Sequence, residues 1–196
     1  VVLNNGQMEA TQSCGVISNA SGQLLFYSNG VKVWDRNHNL MPNGDGILGS
    51  LSAKQSSLII QNPNDSNRYY LFTLSCFECG YPIELRYSEI NMALNGGNGD
   101  VTSNKNILLN SNMSEMLTGM KKSDNSGYWL IAHGSNNNNY YAYEITNAGI
   151  SAPVITSIGS VFNNTWGEME VSSKFSPDNT KIATTKRGGI VLYDFD

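Results

Sequence analysis

Charged residues are scarce in this chain. Only 14% of its 196 residues are charged, and the formal net charge is −4 with an isoelectric point near 5.1. A surface that binds nucleic acid needs clustered lysine and arginine side chains, and Lys186-Arg187 is too short a run to supply them. We therefore expect no nucleic-acid partner.

Long apolar runs are also missing. No stretch of about 18 apolar residues occurs, so the sequence predicts no membrane insertion. The first residues lack the basic and apolar regions of a secretory signal, but a mature or trimmed chain would lack them too. The cellular location must therefore be judged from other features.

The three cysteines fall short of a metal site. Cys14 stands alone, while Cys76 and Cys79 form a single Cys-x-x-Cys motif. A structural zinc site needs four ligands, and neither a second such motif nor a His-x-x-x-His is present. A thioredoxin-like motif would open a helix, and no helical periodicity follows Cys79. We predict no metal here, which leaves either a short-loop disulfide between Cys76 and Cys79 or two free thiols.

Asparagine and glycine are abundant instead. The chain contains 19 glycines and 40% hydrophobic residues, which is enough apolar material to bury a core. Asparagine and glycine adopt positive φ angles at little cost and therefore favour turns. Turns at short intervals, separated by aromatic and β-branched residues, predict an all-β chain.

One short unit recurs four times: a strand, a polar turn and a second strand of aromatic or aliphatic residues. The second strands are predicted to begin at Gln23, Arg68, Tyr128 and Lys181. The turns before them are Asn19 to Gly22, Asn62 to Asn67, Lys121 to Gly127 and Ser176 to Asn179. This spacing is typical of β-propeller blades with loop insertions.

Each unit continues with further predicted strands. Third strands of alternating polarity are predicted at Val31 to Trp34, Ile83 to Tyr87, Tyr140 to Ile145 and Ile190 to Tyr193. Fainter fourth strands are predicted at Lys105 to Leu109 and Val154 to Ile158. The approximate blades are residues 14–50, 55–110, 115–160 and 167–196, with residues 1–6 as the tail of a preceding strand. We expect about four four-stranded antiparallel blades of a larger propeller with about seven or eight blades.

Several stretches resemble a known family. Residues 176–185 (SPDNTKIATT) and 188–196 (GGIVLYDFD) resemble the blades of WD-repeat-like propellers. With residues 14–44, 85–106 and 128–134, they resemble the propeller region of large Bacteroidetes secreted and cell-surface proteins, which precedes a gliding-motility-associated or type IX sorting region. The resemblance implies export across the outer membrane, an extracellular or cell-surface location, and further blades of the same polypeptide.

The histidines indicate no catalytic site. His133 ends an apolar strand, and we interpret it as a hydrogen-bonded residue of the strand end. His38 lies in a run from Asp35 to Asn39 that begins like a calcium loop. That loop would need a glycine and a bidentate glutamate where Leu40 and Gly46 stand, so a turn is the better interpretation. We nominate no catalytic residue.

Glycine-rich runs and carboxylates leave two hypotheses open. Asn43 to Gly46 and Asn95 to Asp100 offer oxygens that would bind structural calcium weakly, although ion-free turns are commoner. A glycosidase pair assembled across blades is the second hypothesis, with candidates Glu84, Glu89, Glu144, Glu168 and Glu170. We interpret the aromatic strands as packing between blades.

The expected function is that of a noncatalytic binding or scaffolding module outside the cell. Propeller loops converge around a central channel and form a concave site without any special motif. We expect the partner to be a surface glycan, a polysaccharide or another surface protein, and we expect no cofactor beyond weak calcium. Two alternatives are a glycan-active or peptidase module and the periplasmic sensor propeller of a membrane signalling protein.

Overall fold

The chain folds into antiparallel β-sheets. The structure is a computed structural model that describes residues 5–80, 82–163, 165, 167–168 and 171–195. The described residues form 17 strands and two short 3-10 turns, Phe77–Cys79 and Asn95–Gly97, with no α-helix among them. The predicted all-β class is confirmed.

The strands form four separate sheets in chain order. Sheet 1 contains β1 (Gly15–Ser18), β2 (Leu24–Ser28), β3 (Lys32–Asp35) and β4 (Leu40–Asp45). Sheet 2 contains β5 (Ser57–Gln61), β6 (Arg68–Leu74), β7 (Glu84–Asn91), β8 (Asp100–Val101) and β9 (Ile107–Ser111). Sheet 3 contains β10 (Met113–Lys121), β11 (Tyr128–Gly134), β12 (Asn137–Thr146), β13 (Gly149–Ile150) and β14 (Val154–Phe162). Sheet 4 contains β15 (Ser173–Phe175), β16 (Lys181–Lys186) and β17 (Gly189–Asp194).

One fourth strand was predicted for each of sheets 2 and 3, whereas the structure has two short strands in that position of each sheet. In sheet 2, β8 pairs with Ile90 and Asn91 of β7, while β9 pairs with the opposite end of β7 from Glu84 to Tyr87. In sheet 3, β13 and β14 share β12 in the same way. Because β7 and β12 are 8 and 10 residues long, each has room for two short partners end to end.

Asparagine supplies the backbone geometry of many turns. Seven asparagines and His38 adopt positive φ angles among the described residues. The asparagines are Asn43, Asn95, Asn106, Asn112, Asn125, Asn136 and Asn179. Asparagine tolerates the left-handed region because its short side chain can bond locally. The composition therefore explains how so many short strands connect.

Consecutive sheets pack face to face through apolar layers. Leu25, Phe26 and Val33 of sheet 1 pack with Tyr69 and Leu71 of sheet 2. A second layer joins sheets 2 and 3, and a third joins sheets 3 and 4. Their buried members include Phe72, Leu85, Leu130 and Tyr143 in the second layer, and Ile131, Tyr140 and Ile182 in the third.

Strand β6 shows why strands of the inner sheets have apolar residues at nearly every position. Tyr69 and Leu71 point into the layer with sheet 1, whereas Tyr70, Phe72 and Leu74 point into the layer with sheet 3. Successive side chains of a strand point to opposite faces, so a strand buried on both faces needs apolar residues at every position.

The first strands of the sheets lie side by side. β1 contacts β5, β5 contacts β10, and β10 contacts β15. The first strand of each sheet therefore lies next to the first strand of the following sheet.

Candidate ligand-binding site

A cavity of about 850 Å³ opens where the first strands of sheets 1, 2 and 3 end. Ser18, Gln61 and Lys121 are the last residues of β1, β5 and β10, and all three line this strand-end cavity. The three residues come from three different repeat units. The cavity therefore exists only because the first strands of three units pack with their ends side by side.

A rigid turn forms one rim of the strand-end cavity. The Asn19 side-chain oxygen accepts hydrogen bonds from the backbone N–H groups of Ser21 and Gln23, at 3.0 and 2.9 Å. The Asn19 amide also donates to the side-chain oxygen of Gln23 at 2.9 Å. These bonds hold Ala20 in place on the cavity wall.

Gln61 and Tyr69 form a polar wall. The side-chain amide of Gln61 donates to the backbone oxygen of Ser66 at 3.0 Å and to the Tyr69 hydroxyl at 3.4 Å. Burial raises the pKa of Tyr69 above its ordinary value of 10.0, the Gln61 bond opposes this rise, and the nearby Tyr128 hydroxyl adds to it. The Tyr69 phenol is therefore neutral at physiological pH and keeps its proton as a hydrogen-bond donor.

Apolar side chains form the remaining walls. Leu25 and Met92 are buried members of the layer between sheets 1 and 2, and both reach the strand-end cavity. Tyr128, at the start of β11, is half-buried and lines the cavity from sheet 3. The lining thus combines apolar and aromatic surface with a few polar groups, as small-molecule sites commonly do.

Two cations are the charged residues of the cavity lining. Arg36 follows β3 and donates from its guanidinium to the backbone oxygen of Gly97 at 3.1 Å. Lys121 reaches the cavity from the end of β10. No aspartate or glutamate lines the cavity in the described part of the chain. The site is positive, although the chain as a whole is negative.

Sequence reasoning did not nominate Arg36, Gln61 or Lys121. A signal for two of them was present, because Gln61 and Lys121 occupy the same place in successive units, at the end of the first strand. Alignment of the units would have brought them together with Ser18. Arg36 carries no such signal, since the turn after the third strand differs in each unit.

Polar side chains join the sheets near the opposite ends of the first strands. The Gln55 side chain forms two hydrogen bonds with the backbone of Ser173, one as donor at 3.1 Å and one as acceptor at 2.9 Å. Buried Glu115 accepts from the backbone N–H of Lys54 at 2.9 Å and of Phe77 at 2.8 Å. These side chains link sheets that share no strand pairing.

His133 departs from the predicted role of a fully hydrogen-bonded residue at a strand end. Its side chain is buried between Tyr140 and Phe162, with ring centroids 4.5 and 4.1 Å away. Its Nδ1 lies 2.7 Å from the Gly134 oxygen, so Nδ1 carries the proton, and Nε2 has no partner among the described residues. Burial lowers the pKa of His133 from 6.5 to about 4, so the ring is neutral at pH 7.

The run from Asp35 to Asn39 is a turn. The buried Asp35 carboxylate accepts from the backbone N–H groups of Asn37 and Asn39, at 2.8 and 2.9 Å. His38 adopts a φ of 65° and its Nδ1 lies 3.0 Å from the Tyr27 hydroxyl. Asp35 therefore stabilises the loop that carries Arg36 to the strand-end cavity.

Cys76 and Cys79 are joined by a disulfide in the structure, with Cα atoms 5.1 Å apart. Cys76 is buried and Cys79 is exposed at the end of a 3-10 turn. Cys14 is free and exposed. The disulfide closes a short loop that Glu115 holds against sheet 3 through the Phe77 N–H.

The two glycine-rich runs lie against each other, and the first is not the predicted turn, because Asn43, Gly44 and Asp45 belong to β4. Asn43 donates to the Asp100 carboxylate at 3.2 Å. Lys105 donates to the backbone oxygen of Asp45, and Asn106 donates to that of Gly46 at 2.9 Å. These oxygens already accept hydrogen bonds from the protein, and weak calcium binding stays a prediction.

The candidate glycosidase carboxylates each have local partners. Glu84 pairs with Arg86 at 2.6 Å, Glu89 with Arg68 at 2.7 Å, and Glu144 with Lys122. Glu168 accepts from the side chain of Asn163 at 2.9 Å. Glu170 lies outside the described residues.

The described residues contain no group of three or more His, Cys, Asp or Glu side chains placed to hold a metal ion. Within the same residues, no helix is long and apolar enough to cross a membrane. No protein-family model, no curated protein and no solved structure matches this chain.

Proposed function

We propose that this chain is the noncatalytic binding part of an extracellular β-propeller and that the strand-end cavity receives its ligand. The observation that carries the proposal is the convergence of Ser18, Gln61 and Lys121, from three repeat units, on one cavity of about 850 Å³. This volume falls within the range of about 300–1,000 Å³ typical of ligand pockets.

The propeller architecture is supported by the order and packing of the sheets. Each sheet packs on the next one in sequence, and the first strands β1, β5, β10 and β15 are neighbours in that order. A propeller arranges its blades in this way around a central channel. The proposal includes further blades against the outer face of sheet 4, where Ile190 and Leu192 are 72% and 62% exposed.

The proposed location rests on the resemblance to Bacteroidetes surface proteins and on the Cys76–Cys79 disulfide. Disulfides persist mainly in oxidising compartments outside the cytoplasm. A surface glycan, a polysaccharide or another surface protein is the proposed partner class.

A binding screen with a variant of the cavity wall tests the proposed function. The purified chain is applied to an array of glycans and polysaccharides and incubated with a panel of glycosidase and peptidase substrates. In Ala20→Trp, the indole adds bulk at the wall of the strand-end cavity, and we expect binding to fall at least about tenfold, a loss of about 1.4 kcal/mol. Ser21→Trp is the matched control, because Ser21 is the next residue of the same turn and does not line the cavity.

Binding without turnover that Ala20→Trp weakens and Ser21→Trp preserves would support the proposal. Turnover of a substrate would overturn the noncatalytic assignment. Equal binding by both variants would show that the ligand binds outside this cavity. The absence of any glycan or polysaccharide binding would refute the glycan partner.

A further inference from the structure

The charges of the strand-end cavity indicate which ligand it would select. Arg36 and Lys121 approach it from sheets 1 and 3, and the neutral Gln61 and Tyr69 of sheet 2 lie between those sheets. No carboxylate lines the cavity in the described part of the chain. Two cations that line one cavity without a carboxylate favour an anionic ligand there.

Both cations are available to a ligand. Neither Arg36 nor Lys121 forms an ion pair within the described residues, whereas the adjacent Lys122 pairs with Glu144. Arg36 uses one of its N–H groups for the Gly97 oxygen and leaves its other donors without a protein partner among those residues. A planar guanidinium suits a carboxylate, because the two groups can form paired hydrogen bonds.

The uncharged part of the lining suits a sugar ring. Tyr128 is half-buried and presents aromatic surface that can pack on the C–H face of a saccharide. The Tyr69 hydroxyl can donate a hydrogen bond and Gln61 has a side-chain oxygen that can accept one, so both can bind ring hydroxyls. A fully apolar anion would offer no partner to the Tyr69 hydroxyl proton or to the Gln61 side-chain oxygen, at a cost in free energy.

We infer that the strand-end cavity binds an acidic saccharide, with Arg36 and Lys121 binding its anionic groups and Tyr128, Gln61 and Tyr69 binding the sugar rings. This inference rests on the proposed binding function and names the ligand class of the same site. The anionic groups are carboxylates of uronic acids or sulfate esters, which share the chemistry that the two cations recognise.

Calorimetric titration of the full chain with matched oligosaccharides tests the inference. The probes are trigalacturonate, its fully methyl-esterified form and a sulfated oligosaccharide of similar length. We expect trigalacturonate or the sulfated probe to bind at least about tenfold more tightly than the ester, because hydrogen bonds to ionised groups are stronger than those to neutral groups. We also expect affinity for the charged probe to fall as the salt concentration rises.

Variants identify the residues responsible. Arg36→Gln and Lys121→Met should each weaken binding of the charged probe about tenfold and weaken binding of the ester by a smaller factor. Lys174→Met is the control, because Lys174 is an exposed lysine of sheet 4 that does not line the cavity. Thermal unfolding of each variant checks that the fold is retained.

The outcomes separate this inference from the proposed function. Tighter binding of trigalacturonate assigns the carboxylate source, and tighter binding of the sulfated probe assigns the sulfate source. If the ester binds as tightly as both charged probes, or if the cavity variants behave like Lys174→Met, the acidic-saccharide inference is overturned while a binding site for neutral glycans survives. If no probe binds and the glycan array is also negative, the glycan-binding function itself fails.

Discussion

At the scale of single residues, the buried imidazole of His133 makes the free energy of unfolding depend on pH. His133 is fully buried, its Nε2 has no hydrogen-bond partner among the described residues, and its pKa is lowered from 6.5 to about 4. The unfolded chain takes up a proton as the pH falls below 6.5, whereas the folded chain resists protonation until about pH 4. The stabilising contribution is therefore complete above pH 6.5 and is lost as the pH falls toward 4.

Replacement of His133 should remove this part of the pH dependence. We expect His133 to account for a loss of about 2 kcal/mol in the free energy of unfolding between pH 7 and pH 5, and His133→Phe should lack it. Urea unfolding at the two pH values measures the difference. His38→Asn is the control, because asparagine tolerates the left-handed backbone of His38. An equal pH dependence in His133→Phe and the unmodified chain would contradict the assignment.

At the scale of structural elements, the loop from Cys76 to Cys79 is held by two constraints. Its disulfide and the Glu115 carboxylate hold the same 3-10 turn, one covalently and one through the Phe77 N–H at 2.8 Å. Closing so short a loop removes little entropy from the unfolded chain. By the loop-closure relation, this stabilises the folded state by about 2 kcal/mol.

Thiol titration and a paired substitution test this element. Without reductant, the denatured chain should show one reactive thiol, from Cys14, and after reduction it should show three. Cys76→Ala together with Cys79→Ser should lower the free energy of unfolding by about 2 kcal/mol, while Cys14→Ser should leave it nearly unchanged. Three reactive thiols before reduction would refute the disulfide.

At the scale of the whole molecule, sheet 4 ends in a strand edge that no other described strand covers. β17 pairs with β16, and its other edge has no strand partner in the described part of the chain. Ile190 and Leu192 are exposed on β17, and a cavity of about 370 Å³ lies beside it, between sheets 3 and 4. An unpaired strand edge with exposed apolar side chains favours pairing with other chains.

Charges placed on this edge should reduce self-association. We expect the chain to associate increasingly with concentration and Ile190→Lys/Leu192→Lys to shift it toward monomer, because lysines on an edge strand oppose pairing. Leu48→Lys is the control, since Leu48 is similarly exposed but lies outside the strands. Sedimentation velocity at several concentrations measures the distribution. A monomer at all concentrations, or an equal effect of Leu48→Lys, would contradict this explanation.

The sequence by itself determined the local structure. The second strands predicted to begin at Arg68, Tyr128 and Lys181 begin there in the structure, and the predicted start at Gln23 differs by one residue. Alternating side chains and asparagine-rich turns act over a few residues, so they can be read from the chain directly. Three features escaped because they depend on neighbours: strand β4 of sheet 1, the two-strand fourth positions of sheets 2 and 3, and the buried Nε2 of His133.

The tertiary structure alone decided which residues meet. Gln61 and Lys121 are ordinary strand-end residues in the sequence, and they share a cavity with Arg36 only because three sheets pack in order. Glu115 and Gln55 likewise gain their roles from backbone groups of other sheets. Such contacts join residues far apart in the chain, and no local periodicity encodes them. The strands were therefore predictable from the sequence, whereas the candidate site became visible only in the fold.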